Sequence, residues 1–166
     1  SLEEFHYIYN NYHQIRDIRL SDELSESYVT KNLVKLNKIL ASCQRQKDEA
    51  SDTLELQTAT LNCIVIKAIM TYCDDHNKVT ENEKMYLMDY LFSIEEWGRY
   101  ELWIFTNTSG LLSIESLDTF SSEMLKRTQL YYSNSNNRRK IHQMLLNVIN
   151  ISISQARYDI AIKYIT

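Results

Sequence analysis

The chain has 166 residues, 44% of them hydrophobic and 24% charged, with a formal net charge of -4. That length suits one domain with a substantial core, and the acidic balance excludes a strongly basic face, so this piece by itself is a poor nucleic-acid binder. Two glycines and no proline leave almost no material for tight β-turns, which excludes a turn-rich β fold and points to an all-α chain.

Nothing approaches an apolar run of about 18 residues and there is no signal peptide, so no membrane partner and a cytoplasmic protein are expected. Cys43, Cys63 and Cys73 are an odd count in helical surroundings, read as reduced, buried thiols.

Ser1–Phe5 reads as the tail of an upstream module, with residues 6–166 as the domain proper. Phe5, Ile8, Tyr12 and Ile15 mark one helical face, with Tyr7 and Tyr9 beside it, and His6 and His13, seven apart, share a face and read as surface or core histidines. Ser21–Ser27 is polar and acidic and reads as a connection. Leu33, Leu36, Ile39 and Leu40 then predict an amphipathic helix ending near Gln46. After a charged break at Lys47–Thr53, Leu54, Leu61, Ile64, Val65, Ala68 and Ile69 predict a third helix running to Tyr72. Asp74–Lys78 is the next loop.

The stretch 86–107, YLMDYLFSIEEWGRYELWIFTN, is the densest in apolar residues and is read as a buried helical hairpin. Thr80 stands three residues before Glu83, and Ser93 three before Glu96. Each is an S/T-x-x-E capping box, predicting two helix starts. Met85, Met88 and Leu91 are the expected core face of the first helix, and Trp97, Tyr100 and Ile104 that of the second. Gly110 is placed to end the hairpin in the left-handed conformation.

Ser113 predicts a cap for a helix bearing Ile114, Leu117, Phe120, Met124 and Leu125. Ser133–Asn137 reads as a loop, and Arg138-Arg139-Lys140 after it as a solvated basic face open to an anionic partner. Ile141, Leu145, Val148 and Ile151 predict the next helix, and Ser154 a cap for a last one with Ala156, Ile160, Ala161 and Tyr164. Starts near Thr80, Ser113 and Ser154 lie 33 and 41 residues apart. That periodicity predicts a TPR-like helical-repeat domain, an α-solenoid of stacked antiparallel helix pairs with a concave inner surface. The apolar final helix, Ile160–Ile165, lacks a polar cap, so further C-terminal helices are expected.

The segment Leu87–Gly110, centred on Asp89-Tyr90-Leu91-Phe92-Ser93-Ile94-Glu95-Glu96-Trp97-Gly98 and Tyr100-Glu101, resembles the Rgg/GadR/MutR regulators of Gram-positive bacteria. The likeness continues more loosely through Ser113–Arg127 and Ile141–Ile153. It implies an N-terminal helix-turn-helix domain, of which Ser1–Phe5 would be the tail, followed by a helical-repeat domain that binds a short hydrophobic signalling peptide in its concave face. It also implies a homodimer that contacts DNA only through the N-terminal domain. Asn107 and Asn147 match groove-facing asparagines of the family. Pheromone-binding relatives carry an arginine three residues after the first of these, to meet an acidic group of the peptide; this chain has Gly110 there.

Asn147 lies between Leu146 and Val148 on an otherwise apolar helix, where a side-chain amide can hold an extended peptide backbone or be satisfied by a neighbouring carbonyl or water. One turn to either side lie Gln143, Met144, Asn150 and Ile151. From Asn107 the same spacing reaches Trp103, Ile104 and Tyr100. This mixed apolar and amide surface suits a short apolar peptide, although core packing is the first reading of each aromatic taken singly.

Cys73, Asp74, Asp75 and His76 lack a second pair of metal ligands and read as loop residues. No phosphate loop, nucleophile elbow or paired-cysteine motif is present, so no catalytic residue, cofactor or metal is assigned and no enzyme is expected. The expected function is the sensing and dimerisation domain of a peptide-responsive transcriptional regulator. A helical-repeat adaptor, or a dimerisation module without a ligand, are the readings from other classes.

Overall fold

The computed structural model describes residues 19–128 and 135–165, and among them there are helices and no strands. The helices are α1 (19–29), α2 (Leu33–Asp48), α3 (Thr53–Asp74), α4 (Glu81–Ser93), α5 (Arg99–Thr108), α6 (Ile114–Arg127), α7 (Ser135–Ser154) and α8 (Tyr158–Ile165). The expected face at Phe5, Ile8, Tyr12 and Ile15, with His6 and His13, lies outside the described residues. The chain forms two compact units that divide inside α4, between Met88 and Asp89.

In the first unit α1 corrects the connection expected at Ser21–Ser27. Leu24 and Ser27 are buried three residues apart while Asp22, Glu23 and Glu26 face solvent, so one leucine and one small residue suffice for the covered side. The Ser27 hydroxyl is satisfied by the Glu23 carbonyl at 2.7 Å. Lys31, at φ 49°, ends α1 in a Schellman arrangement, its N–H donating to Tyr28 O and that of Asn32 to Ser27 O. Asn32 then caps α2, accepting from the Lys35 N–H at 3.0 Å.

Helices α2 and α3 pack as a hairpin whose short connection makes them antiparallel. Asp52 caps α3 by accepting from the Glu55 N–H at 2.8 Å. Residues Leu61 to Ile66 are buried without a break, and Ala68, Ile69 and Met70 follow. A helical segment buried on every side must be enclosed on every side, and Leu61–Ile66 is. Cys43 and Cys63 are buried, free thiols at this hairpin, Cys43 donating to the Ala59 carbonyl at 3.4 Å; Cys73 is half-buried and free.

The Thr80–Glu83 capping box is present in both directions: the Glu83 N–H donates to Thr80 Oγ1 at 3.2 Å and the Thr80 N–H to Glu83 Oε2 at 2.9 Å. The buried face of α4 is Leu87 and Leu91 rather than the expected Met85 and Met88, and Met85 is 57% exposed. The periodicity was right and its phase was not, because methionine fits a half-exposed flank as readily as a core.

The second unit corrects the hairpin. Ser93 does not start a helix; it is the last residue of α4 and its hydroxyl donates to the Tyr90 carbonyl at 2.7 Å. Helix α5 begins at Arg99 with Gly98 as its cap, and Glu101 Oε2 reaches back to the Gly98 N–H at 2.9 Å. The intervening Ile94–Gly98 is held by Arg127 at the end of α6. Its Nη1 donates to the carbonyls of Phe92 at 2.6 Å and Ile94 at 2.7 Å, supplying the end of α4 with the cation its own last turn lacks. The Trp97 indole donates to Leu91 O at 3.1 Å, and its ring meets Phe105 edge-on.

Helix α7 is the element on which α5, α6 and α8 all pack. Its buried stripe is Ile141, Met144, Val148 and Ser152, so Leu145 and Ile151, expected inside, are half-covered flanks. It begins at Ser135, which brings Ser135–Asn137 out of the expected loop and into its first turn; Ser133 and Asn134 lie outside the described residues. Ser154 ends α7 rather than capping α8, and Ala156, at φ 57°, is the C′ residue of a second Schellman turn. Gly110, expected in the left-handed region, has no positive φ and sits in a 3-10 turn, Ser109–Leu111. Ser113 does cap α6, accepting from the Ser116 N–H at 3.2 Å; Leu125, expected on that helix's core face, is 42% exposed.

Candidate functional site

The candidate residues fall on α5, α7 and the turn after α5, all inside the second unit. Helix α5 buries Leu102, Ile104, Phe105 and Thr108, which leaves Arg99, Tyr100, Trp103 and Asn107 on its half-covered face. The spacing is that of one helical strip, with steps of three and four residues. Tyr100 and Trp103 stack with ring centroids 5.9 Å apart and an interplanar angle of 20°. The Asn107 amide donates to the Trp103 carbonyl at 2.8 Å, so part of its polar capacity is spent on its own helix.

On α7, Lys140, Met144, Asn147 and Ile151 repeat at i, i+4, i+7 and i+11, again one strip. Lys140 heads it. Partial desolvation, and then the positive charge of Arg99, hold the Lys140 ammonium below the ordinary lysine value. Helix α5 packs on α7.

Tyr100, Trp103 and Asn107 on α5 and Asn147 and Ile151 on α7 are each half-covered, on two helices that pack together. Ile104 and Met144 belong to the buried core between helices and offer no open surface. Gln143 and Asn150 are exposed on the side of α7 away from its buried stripe, and Gly110 is exposed beyond the end of α5. Among the described residues the Asn147 side chain makes no hydrogen bond, although its helix neighbours Val148 and Ser152 are fully buried.

Nothing in this arrangement resembles a catalytic constellation. Among the described residues no three metal-ligating side chains come together; Asp74 instead pairs with Lys78 at 3.0 Å and accepts from the His76 N–H. No helix among them is long and apolar enough to cross a membrane.

Residues 37–166 match the family described as the HTH-type transcriptional regulator Rgg, C-terminal domain. Two crystal structures of the SHP pheromone receptor Rgg2 of Streptococcus dysgalactiae are similar to the chain, one of them a cysteine-to-serine variant. Each is 26% identical over 89% of this chain, with TM-scores of 0.73 for the receptor and 0.72 for the variant. The alignments cover 51% and 50% of the receptor chains, so the chain spans about half the length of the solved structures it matches.

Proposed function

The chain belongs to the Rgg family of transcriptional regulators, as its C-terminal domain, and from that membership we propose that it senses a short apolar peptide on the half-covered strips of α5 and α7. The family match over residues 37–166 carries this reading. The half-covered Asn107 and Asn147, on two helices that pack together, and the stacked Tyr100 and Trp103 on the strip of Asn107 support it from the geometry. Aromatic faces would take the peptide's side chains, and the Asn147 amide, which presents two donors and one acceptor carbonyl, would hold a peptide unit in extended conformation.

In the longer protein this domain would work as a homodimer and control an N-terminal helix-turn-helix domain. Peptide binding regulates DNA binding only if the peptide has unequal affinity for two arrangements of the dimer, and the coupling is then reciprocal. The outward apolar residues Tyr158, Ile162 and Ile165 of α8, each more than half exposed, support further helices covering this face.

Titration calorimetry with short apolar peptides tests the reading. Asn147→Ala is expected to weaken binding roughly tenfold, the worth of a buried backbone contact, with the helix content unchanged. An unchanged affinity in the variant would remove Asn147 from the site.

A further inference from the structure

We propose that Cys43 and Cys63 form a dithiol redox site inside the α2–α3 hairpin, converted by hydrogen peroxide to an intrachain disulfide that staples the two helices. The site lies within the first unit, and it is independent of the peptide-sensing reading.

Two features of the hairpin bring the thiols together. Helices α2 and α3 are antiparallel, and a helical side chain leans toward the N-terminus of its own helix. Cys43 therefore leans away from the connecting loop and Cys63 leans toward it. Cys43 Sγ lies 3.4 Å from the Ala59 carbonyl oxygen, one turn before Cys63. A helical carbonyl points along the axis to the N–H four residues on, so this oxygen is aimed at the Cys63 backbone. The Cys43 sulfur thus sits over the turn that the Cys63 side chain covers, and the two thiols are hydrogen-bonded to one another. Both are free and both are buried, each 5% exposed.

The surroundings give the two sulfurs different roles. Lys47 follows Cys43 by one turn of α2, and Lys67 follows Cys63 by one turn of α3. The hydrogen bond from the Cys43 thiol, aided by these two ammonium groups, outweighs burial and the Glu83 carboxylate and draws the Cys63 thiol below its ordinary value. The same hydrogen bond, with burial, pushes Cys43 up. Cys63 is therefore the nucleophile and Cys43 the resolving thiol. Cys73 stands about 15 Å further along α3 and is outside the pair.

The Cys63 thiolate attacks one oxygen of hydrogen peroxide and the O–O bond breaks, leaving a sulfenic acid on Cys63. The departing hydroxide takes up the proton that Cys63 had released and leaves as water. The Cys43 sulfur then attacks the Cys63 sulfur, the S–O bond breaks, and the Cys43 proton leaves with the hydroxyl as a second water. Each thiol gives up one electron, and the peroxide is reduced by two. Burial of both sulfurs favours an oxidant as small and uncharged as hydrogen peroxide. The product closes a loop of about 20 residues, which restricts the unfolded chain and ties α2 to α3.

The test treats the reduced chain with hydrogen peroxide, blocks the remaining thiols with N-ethylmaleimide in urea and identifies the tryptic peptides by mass spectrometry. Trypsin separates all three cysteines, onto 39–45, 48–67 and 68–78. The expected product is 39–45 joined to 48–67 with loss of two hydrogens, favoured roughly tenfold or more over either pairing of Cys73. The thermal midpoint of the oxidised chain should rise by about 5 °C or more and return on treatment with dithiothreitol. Cys73→Ser should keep both effects. Cys43→Ser should lose both and leave a sulfenic acid on Cys63 that dimedone traps, with far-UV circular dichroism reporting the fold. Three outcomes on the wild-type chain overturn the proposal whether or not any variant folds. They are both thiols still open to alkylation after peroxide, Cys63 carried to the sulfinic acid without a bond to Cys43, and Cys73 joined in place of either partner. A linked peptide with an unchanged midpoint overturns the staple.

Discussion

The α2–α3 hairpin and the α5–α8 segment reach order by different means. In the first, the middle of α3 is enclosed on all sides, with Leu61 to Ile66 buried in succession. In the second, helices buried on one stripe are fastened by polar groups. Arg127 ties α6 to the end of α4, while Lys163 and Tyr164 of α8 tie to Asp118 of α6 at 2.9 and 2.7 Å. Enclosure by apolar side chains is non-directional and indifferent to pH, and it leaves no surface for a ligand. Polar fastening leaves flanks half-covered, and the α5 and α7 strips with their amides and cations are such flanks. The lesson is a division of labour between a helix that is architecture throughout and helices that keep one side for recognition.

The largest expected effect attacks the enclosed helix. Ile66→Ala removes a fully buried side chain and should cost about 2–5 kcal/mol in urea denaturation followed by circular dichroism. Val29→Ala, at a residue 80% exposed, should stay within about 0.5 kcal/mol. Equal shifts from the two would break the contrast.

Next comes the Arg127 fastening. Arg127→Ala leaves the carbonyls of Phe92 and Ile94 without their donor and should cost about 1–3 kcal/mol. The near-ultraviolet circular dichroism of Trp97, whose N–H donates to the Arg127 carbonyl, should change with it. A variant as stable as wild type would show that the Ile94–Gly98 segment is held by Trp97 alone.

The α6–α8 fastening sharpens the comparison through pH. Burial pushes the Asp118 carboxyl up, but hydrogen bonds from Lys163 and Tyr164 outweigh it and hold it below the ordinary carboxylate value. A depressed carboxyl contributes stability that is present above the unfolded pKa of about 3.9 and is lost as pH falls through the folded one. Asp118→Asn should therefore be less stable than wild type by about 1 kcal/mol at pH 6, a figure already reduced for screening at this half-open site. The gap should close as the pH is taken below the unfolded value. A gap independent of pH would mean that packing, not the carboxylate charge, holds α8.

Smaller effects come from single turns. With two glycines in the chain, the left-handed helix ends at Lys31, Asp75 and Ala156 fall to other residues. Ala156→Gly should stabilise by about 0.5–1 kcal/mol, seen as a higher thermal midpoint, because glycine adopts that φ without its Cβ meeting the carbonyl. Asn147→Ala should be the smallest change of all in stability, within about 0.5 kcal/mol, since its amide makes no hydrogen bond among the described residues. A large loss of stability there would assign Asn147 to the architecture instead of to recognition.

Much of the fold was legible in the residues. The Thr80–Glu83 box, the Ser113 cap and the Leu61–Ile69 run report helix starts and a buried helix directly, because capping and apolar continuity are local properties of the chain. Where local signals competed, the sequence pattern alone picked wrongly. Ser93 carries the same S-x-x-E pattern as a true cap, but Glu101 reaching back to Gly98 places the start of α5 five residues later. Gly110 looked like a left-handed stop and Ala156 like the inside of a helix, and the backbone does the reverse at both. Such choices are settled by a few tenths to a kilocalorie per turn, which neighbouring helices easily override.

The candidate site divides the same way. Sequence by itself determined an all-helical chain, its core-forming runs, the family-bearing segment Leu87–Gly110 and the two asparagines worth attention. Tertiary structure alone decided that α5 packs on α7, that Ile104 and Met144 are spent in the core, and that Tyr100, Trp103, Asn107 and Asn147 are left half-covered. The physical reason is that helix periodicity specifies which residues share a face, while only packing against a second helix determines what that face meets.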